Sequence, residues 1–198
     1  MTRTEQKERT RRMLLDTARR LFAARGYAGV GLAELVRESG VTKGALYHHF
    51  TGKTDLFRAV LEEVQREVAG RVAEAAEAED DPWAQLKAGC AAFVAAGADA
   101  EVQRIMLIDG PAVLGWNDWR AIDEATSVRH LTDALAVLVA DGTLPTQPVA
   151  PLARLLSGAM NEAALWLAQS AADDLADTQA ALSRLLDALR VSPAPPGS

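Results

Sequence analysis

The sequence has 198 residues and a formal net charge of −6, and 49% of its residues are hydrophobic. These are ordinary values for a globular protein of one or two domains, with enough chain to bury a substantial core. The single cysteine, Cys90, excludes an internal disulfide bond, and no apolar run reaches the ~18 residues that a membrane-spanning helix needs.

The composition favours an all-α fold. The chain has only 8 Pro and 14 Gly, its Ala- and Leu-rich runs are long, and Val and Ile rarely alternate with polar residues as they do in strands. The basic N-terminus has no apolar segment behind it that would form a secretory signal. We therefore expect a cytoplasmic protein that does not bind a membrane.

Opposite charges are segregated along the chain. Residues 1–58 contain 12 Lys and Arg against 6 Asp and Glu, a net charge of +6. The remaining residues hold 9 basic and 21 acidic side chains, a net charge of −12. A basic head on an acidic body indicates that only the head binds a polyanion.

The first predicted helix runs from about Glu5 to Arg25 and carries apolar residues at helical spacing. Gly26 follows it, as glycine commonly follows a helix C-terminus. The basic residues from Arg3 to Arg12 form either a solvated end or an arm that reaches phosphate groups, and the sequence leaves both open. A short second helix is predicted from about Leu32 to Ser39, where Gly40 ends it.

The stretch from Val41 to Lys53 organises the chain. Wound as one short helix, it places Leu46 and Phe50 on one face. The outward face then carries the basic and aromatic residues Lys43, Tyr47 and His48. Thr42 precedes the first turn, where its hydroxyl can cap the helix or meet a phosphate. Such a helix after a Gly-containing turn is typical of a helix-turn-helix recognition helix, although an ordinary amphipathic surface helix has the same pattern.

The next helix is expected to have Thr54 as its N-cap, which leaves Lys53 beside the helix N-terminus. A cation gains nothing from the helix dipole at that end. A phosphate group that binds both the helix amides and the Lys53 ammonium would explain the placement.

These residues carry a family resemblance. They are Gly26-Tyr27, Leu35, the run from Gly40 to Phe50, Lys53 and Leu56-Phe57. Together they resemble the N-terminal domain of TetR-family transcriptional regulators, over about the first quarter to third of the chain. The order Gly-x-Leu-Tyr-x-His-Phe followed by Lys is highly specific.

The resemblance implies a role for each matching position. The residues that would bind the phosphate backbone of a DNA duplex are Thr42, Tyr47, His49 and Lys53. The residues that would face the major groove are Lys43, Ala45 and His48, with Gly44 letting the helix approach closely. Leu46 and Phe50 would belong to the core.

The clearest departure from the family pattern is at the start of the second helix. A pair of hydroxyl residues usually opens the second helix, whereas this chain has Val30-Gly31. Gly31 can occupy an N-cap position but offers no side-chain oxygen. We expect that a hydroxyl–phosphate contact there is lost or replaced by a backbone amide.

Six further helices are predicted after the head. Their approximate ranges are Thr54–Ala78, Pro82–Gly97, Ala100–Asp109, Trp116–Asp141, Val149–Ala171 and Leu175–Val191. Asp81-Pro82 and Gly110-Pro111 are predicted breaks. We therefore divide the chain into a three-helix DNA-binding domain at 1–53, a larger helical effector-binding and dimerisation domain at 54–191, and a disordered Pro-rich tail at 192–198.

The last two helices, at about 149–191, carry more apolar surface than one small bundle needs, which suggests a subunit interface. The resemblance implies that they form a four-helix bundle across a two-fold axis. A dimer of this kind presents two recognition helices, so its operator should be nearly palindromic.

The body also offers candidates for an effector pocket, because large or pliable apolar groups and a few polar ones occur together there. These candidates are Phe93, Gln103, Met106, Asp109, Trp116, Trp119, Met160, Asn161 and Trp166. The alternative is that the Trp and Met side chains belong to the core. The family resemblance implies regulation by a small effector but does not identify it.

Catalytic chemistry has no support in the sequence. There is no Ser-His-Asp order, no glycine-rich phosphate loop and no metal-spaced His pair, and His130 stands alone. We expect no enzymatic activity, no metal and no cofactor. The predicted function is a homodimeric repressor that binds a palindromic operator and is released by a small molecule. The alternative is a helical protein-interaction or small-molecule-binding protein whose basic head does not bind DNA.

Overall fold

The computed structural model describes residues 2–167 and 174–191, and every secondary-structure element in these ranges is a helix. The all-α prediction is confirmed. In chain order the elements are α1 (Arg3–Arg25), α2 (Leu32–Ser39), α3 (Lys43–His49), α4 (Lys53–Glu77), α5 (Pro82–Gly97), α6 (Ala100–Val102), a π-helix (Gln103–Asp109), α7 (Gly110–Leu114), α8 (Trp116–Ala125), α9 (Ser127–Ala140), α10 (Val149–Leu167) and α11 (Asp174–Asp187). The predicted tail at 192–198 lies outside the described residues.

The helices group into two compact units. The first comprises Met1–Arg66 and Ala100–Ile122, and the second comprises Glu67–Asp99 and Asp123–Ser198. The segment 100–122 thus packs with the N-terminal helices, although it is distant from them in sequence. The division at residue 53 remains a prediction about function, whereas the two units describe packing.

The core of the first unit forms where α1, α2, α3 and the start of α4 turn apolar residues toward one another. Phe22 and Phe57 meet edge to face with their ring centroids 5.4 Å apart, and Tyr27 meets Phe57 edge to face at 5.2 Å. Leu35 of α2 and Leu46 of α3 are buried as well. This packing holds the helix-turn-helix as one body and fixes which side of α3 stays exposed.

The start of α1 is set by a capping box. Thr2 accepts a hydrogen bond from the Glu5 amide, and the Glu5 carboxylate accepts one from the Thr2 amide. The two bonds satisfy amides that a helix N-terminus otherwise leaves without partners. The basic residues from Arg3 to Arg12 are therefore helical in this structure.

Two predicted boundaries in the middle of the chain are wrong. Gly110-Pro111 does not interrupt the helix, because helical structure continues from α6 through the π-helix into α7, and Pro111 lies in the first turn of α7, where proline is tolerated. The single helix predicted from Trp116 to Asp141 is divided instead at Thr126, between α8 and α9.

The N-cap predicted at Thr54 is also wrong. Helix α4 begins at Lys53, and the Thr54 hydroxyl lies 2.8 Å from the Tyr27 hydroxyl instead. The boundaries predicted at Pro82 and Gly97 are confirmed, since α5 runs between these residues. The Asp81 carboxylate caps the start of α5 by accepting a hydrogen bond from the Ala84 amide.

In the second unit α5 packs against α9, α10 and α11, and α10 packs against α9. The Asp187 carboxylate ties α11 to α5, because it accepts hydrogen bonds from Trp83 Nε1 at 3.1 Å and from Lys87 Nζ at 2.9 Å. Within the described ranges, no helix combines the length and apolar character that crossing a lipid bilayer requires.

Candidate nucleic-acid interface and ligand cavity

Helix α3 is anchored by buried side chains on one face and capped at its N-terminus. Leu46 is 1% exposed and Phe50 is 3% exposed, so both anchor the helix to the core of the first unit. Thr42 is its N-cap, with the side-chain oxygen accepting a hydrogen bond of 3.1 Å from the Ala45 amide. The hydroxyl hydrogen of Thr42 remains available as a donor to an outside acceptor.

The opposite face of α3 is open. The exposed residues are Thr42, Lys43, Gly44, Tyr47 and His48, whereas Ala45 and His49 are half-buried. Tyr47 is 49% exposed although it is aromatic, and the Lys43 ammonium lies 5.9 Å from its ring centroid. A Cβ added at Gly44 would meet only the Thr42 hydroxyl oxygen at 4.0 Å, so no internal packing requires glycine there.

The N-terminal turns of α1 form a groove with α3. The residues that line it are Arg3, Thr4, Gln6, Lys7 and Thr10 from α1 and Ala45, His48 and His49 from α3. Desolvation lowers the pKa of His49, and the neighbouring charges of His48, Lys7 and Arg11 lower it further. The groove is therefore a place where cations repel one another and a phosphate would be favoured.

The sequence left open whether the basic residues from Arg3 to Arg12 reach phosphate groups, and it did not name individual residues of α1 as DNA contacts. The capping-box spacing Thr2-x-x-Glu5 was the signal that could have extended the predicted helix back to Arg3.

Lys53 has an internal role. Its Nζ donates hydrogen bonds of 2.8 Å to the carbonyl oxygens of Tyr27 and Val30, and it lies 3.9 Å from the Tyr27 ring centroid. Desolvation lowers the pKa of Lys53, and the Asp109 carboxylate partly offsets this. An ammonium has three donors, so one remains for a phosphate while two hold the loop between α1 and α2.

Gly31 is the N-cap of α2, as the sequence predicted, and it makes no side-chain capping bond. Its backbone is extended, with φ of −98°, and a Cβ added there would meet no atom within 4 Å. The interface thus lacks a hydroxyl at a position that has room for one.

A cavity of about 210 Å³ lies in the second unit. Four helices line it: Val72, Ala73, Ala76 and Glu77 come from α4, Gln85, Leu86, Gly89, Cys90 and Phe93 from α5, Ser127, Val128, His130, Leu131 and Ala134 from α9, and Ser157 and Met160 from α10. Burial raises the pKa of the Cys90 thiol to about 12, so the thiol is neutral at physiological pH.

The predicted pocket residues fall into three groups. Phe93 and Met160 line the cavity. Gln103, Met106, Asp109, Trp116 and Trp119 belong to the first unit and do not line it. Asn161 and Trp166 lie on α10 without lining it, Asn161 being buried and Trp166 51% exposed.

Trp119 is part of the core of the first unit. Its Nε1 donates a hydrogen bond of 2.7 Å to the Met106 carbonyl in the π-helix. Its ring also packs so closely on Gly110 that an added Cβ would lie 2.7 Å from Trp119 Cδ1. Asp109 is used internally as well, because Oδ2 accepts a hydrogen bond of 2.6 Å from the Tyr27 amide.

Family comparisons match both parts of the chain. Residues 14–60 match the family described as bacterial regulatory proteins, tetR family. Residues 83–189, which are more than half of the chain, match the family described as tetracyclin repressor-like, C-terminal domain.

Individual relatives agree with these matches. The chain is 38% identical over 80 residues to the HTH-type transcriptional regulator LmrA of Bacillus subtilis, covering 40% of this chain and 43% of that protein. It is 29% identical over 136 residues to the HTH-type transcriptional repressor AcnR of Corynebacterium efficiens, covering 63% and 66%. The matched segment spans less than half the length of LmrA.

Solved structures are similar over nearly the whole chain. A TetR-family transcriptional regulator from Pectobacterium atrosepticum superposes with a TM-score of 0.79 at 35% sequence identity. The match covers 98% of this chain and 100% of the other.

Proposed function

The chain belongs to the TetR family of bacterial transcriptional regulators, and we propose that it is a cytoplasmic homodimeric repressor that binds a palindromic DNA operator and leaves it when a small molecule binds. Residues 1–53 would bind the DNA, and residues 54–191 would bind the effector and form the dimer. The protein would be a regulator without catalytic activity.

The proposal of DNA binding rests on the exposed face of α3. Thr42, Lys43, Tyr47 and His48 are exposed there, while Leu46 and Phe50 fasten the helix from behind. The hydroxyls of Thr42 and Tyr47 and the imidazole of His49 suit phosphate oxygens. Lys43 and His48 suit base edges in a major groove. The groove between α1 and α3 adds Arg3 and Lys7 as further candidates for backbone contacts.

Selection of bound duplexes from random DNA, followed by fluorescence anisotropy over a range of salt concentrations, tests this proposal. Affinity for the selected duplex should fall linearly on a log–log salt plot, because phosphate neutralisation releases counterions. Tyr47→Phe should weaken binding about three- to tenfold on every sequence, since it removes only a phosphate hydrogen bond. His48→Ala should change base preference more than general affinity.

Arg129→Ala is the matched control, because Arg129 is exposed on α9 in the other compact unit. Its removal should leave the operator affinity within about twofold of the parent, as expected for a surface change outside the interface. The DNA-binding proposal fails if no duplex is enriched, or if the Arg129 and Tyr47 variants behave alike.

The proposed dimer surface is supported by exposed apolar side chains on α10 and α11. Leu155 is 73% exposed, Trp166 51% and Leu185 62%. Leu155, Ala159, Glu162 and Trp166 follow one another at intervals of four, three and four residues, so they share one face of α10. Apolar side chains of this size on one face indicate an interaction surface.

Analytical ultracentrifugation of Leu155→Asp and of Val137→Asp tests the dimer. Val137 is the control, because it is also an exposed apolar residue, at 52%, but lies on α9. The charge at position 155 should produce monomers by placing an unpaired carboxylate in the interface, whereas Val137→Asp should remain dimeric. A monomeric parent protein, or dimers of both variants, would exclude this interface.

The cavity between α4, α5, α9 and α10 supports regulation by a small molecule. It is lined mainly by apolar side chains and lies within one unit of the fold. An effector acts only by binding one conformer better than another, so it would have to favour a conformer whose recognition helices no longer match the operator.

A further inference from the structure

The lining of the cavity restricts the charge of its ligand. Eleven of the sixteen lining residues are apolar, counting glycine and the neutral Cys90, and no Lys or Arg is among them. Glu77 is the one lining carboxylate, and it lies at the exposed edge. A buried anion would have no Lys or Arg partner here, and the His130 side chain, which also lines the cavity, is exposed to solvent, so carboxylate and phosphate ligands do not suit this site.

One polar group in the lining of the cavity has no hydrogen-bond partner. The Ser127 hydroxyl oxygen is buried and makes no hydrogen bond, although Ser127 lines the cavity. The Gln85 amide, by contrast, donates to the Glu79 carbonyl at 2.8 Å. A buried hydroxyl without a partner is costly, and a ligand that offers a donor or an acceptor would remove that cost.

The volume restricts the size of the ligand. A cavity of about 150 Å³ lined by Leu, Ile and Phe binds benzene in another protein. The present cavity, at about 210 Å³, therefore suits one ring with a small substituent. Phe93, Leu131 and Met160 supply the apolar walls for such a ring.

We propose that the cavity binds an uncharged, largely apolar molecule about the size of one substituted aromatic ring, with one hydrogen-bonding group that pairs with the Ser127 hydroxyl. This inference rests on the proposed function in one respect, namely that the ligand of this cavity is the effector. The chemical class itself follows from the lining, the volume and the hydroxyl.

Isothermal titration calorimetry of the whole chain without DNA tests the class with phenol, toluene and benzoate. The three probes share a ring and differ in one substituent, which is a hydroxyl, a methyl or a carboxylate. Phenol and toluene should bind, and benzoate should bind at least tenfold more weakly than phenol because its charge has no partner.

Ser127→Ala separates the hydrogen bond from the ring pocket. It should weaken phenol binding about three- to tenfold and leave toluene binding unchanged, since only phenol uses the hydroxyl. Ser183→Ala is the matched control, because Ser183 lies on α11 and does not line this cavity. It should leave both affinities unchanged.

A second pair of variants tests the location. Ala134 lines the cavity, whereas Ala136 is exposed on the same helix. Ala134→Leu should fill the space and reduce the binding of both phenol and toluene at least tenfold, and Ala136→Leu should change neither. Tighter binding of benzoate than of phenol, equal effects of the two leucine variants, or an unchanged phenol-to-toluene ratio in Ser127→Ala would overturn the proposal.

Operator release is measured separately, by anisotropy of the protein–DNA complex with added phenol. Phenol that binds the protein but leaves the operator affinity unchanged would uphold the ligand class and refute the effector role. Absence of binding to phenol and toluene in a protein that binds its operator would refute the class and leave the DNA-binding proposal standing.

Discussion

Substitution of Lys53 distinguishes a residue that holds the fold from one that only binds DNA. In Lys53→Met the side chain keeps its length and loses its charge, so the carbonyl oxygens of Tyr27 and Val30 lose their donor. Each charge-assisted hydrogen bond contributes about 1.5 kcal/mol, and the cation–π contact with Tyr27 contributes about 0.5–1 kcal/mol. Desolvation of the ammonium, which lowers the pKa of Lys53, offsets part of this gain.

The expected net loss is about 2–3 kcal/mol of unfolding free energy, which corresponds to a fall in Tm of about 5–10 °C for a chain of this size. Thermal unfolding followed by circular dichroism measures it. The control is Lys43→Met, because Lys43 is exposed and contacts only the Tyr47 ring at 5.9 Å. That variant should keep its Tm within about 2 °C and still lose operator affinity. A Lys53→Met protein as stable as the parent would refute the internal role derived from the two carbonyl contacts.

Three further predictions concern single positions. Gly31→Ser should raise operator affinity, measured by anisotropy, about threefold, because the extended backbone and open space at Gly31 admit a hydroxyl that can donate to a phosphate. An affinity equal to or below that of the parent would count against a phosphate at this position. Operator affinity should rise as the pH falls toward the lowered pKa of His49 in the free protein, because a bound phosphate would raise this pKa and binding would then take up a proton. The same titration with His49→Gln should lose this part of the pH dependence. Gly110→Ala should lower the free energy of unfolding in urea by about 1–3 kcal/mol, because the new methyl group would displace Trp119. Gly70→Ala is the control and should raise this free energy by about 0.5–1 kcal/mol, because Gly70 has open space around it.

Helix ends were predictable from sequence wherever a local signal specifies them. Asp81-Pro82 combines an N-cap carboxylate with proline in the first turn, and both boundaries of α5 were correct. Gly40 ends α2 with φ of +68°, a conformation that glycine adopts without strain, and that boundary was also correct. These signals act within a few residues, so one sequence is sufficient to detect them.

Boundaries that depend on distant residues were not predictable in this way. Gly110-Pro111 would end an isolated helix, but here the Met106 carbonyl finds a donor in Trp119 Nε1, thirteen residues away. The two hydrogen bonds of Lys53 likewise reach back 23 and 26 residues to the loop after α1. A sequence pattern records that Lys53 is present, and only the packed fold reveals that its ammonium is already engaged.

The position of the cavity was also not predictable from sequence patterns. Five of the nine predicted pocket residues lie in the segment from Gln103 to Trp119, around the predicted break at Gly110-Pro111. That segment packs tightly, since Gly110 admits the Trp119 ring against the backbone. The space opens between regular helices, where the small side chains of Ala73, Ala134 and Ser157 leave a volume that larger ones would fill. A void in a helical body therefore arises where short side chains from several helices meet, and the search for a ligand site should begin with small residues on otherwise apolar faces.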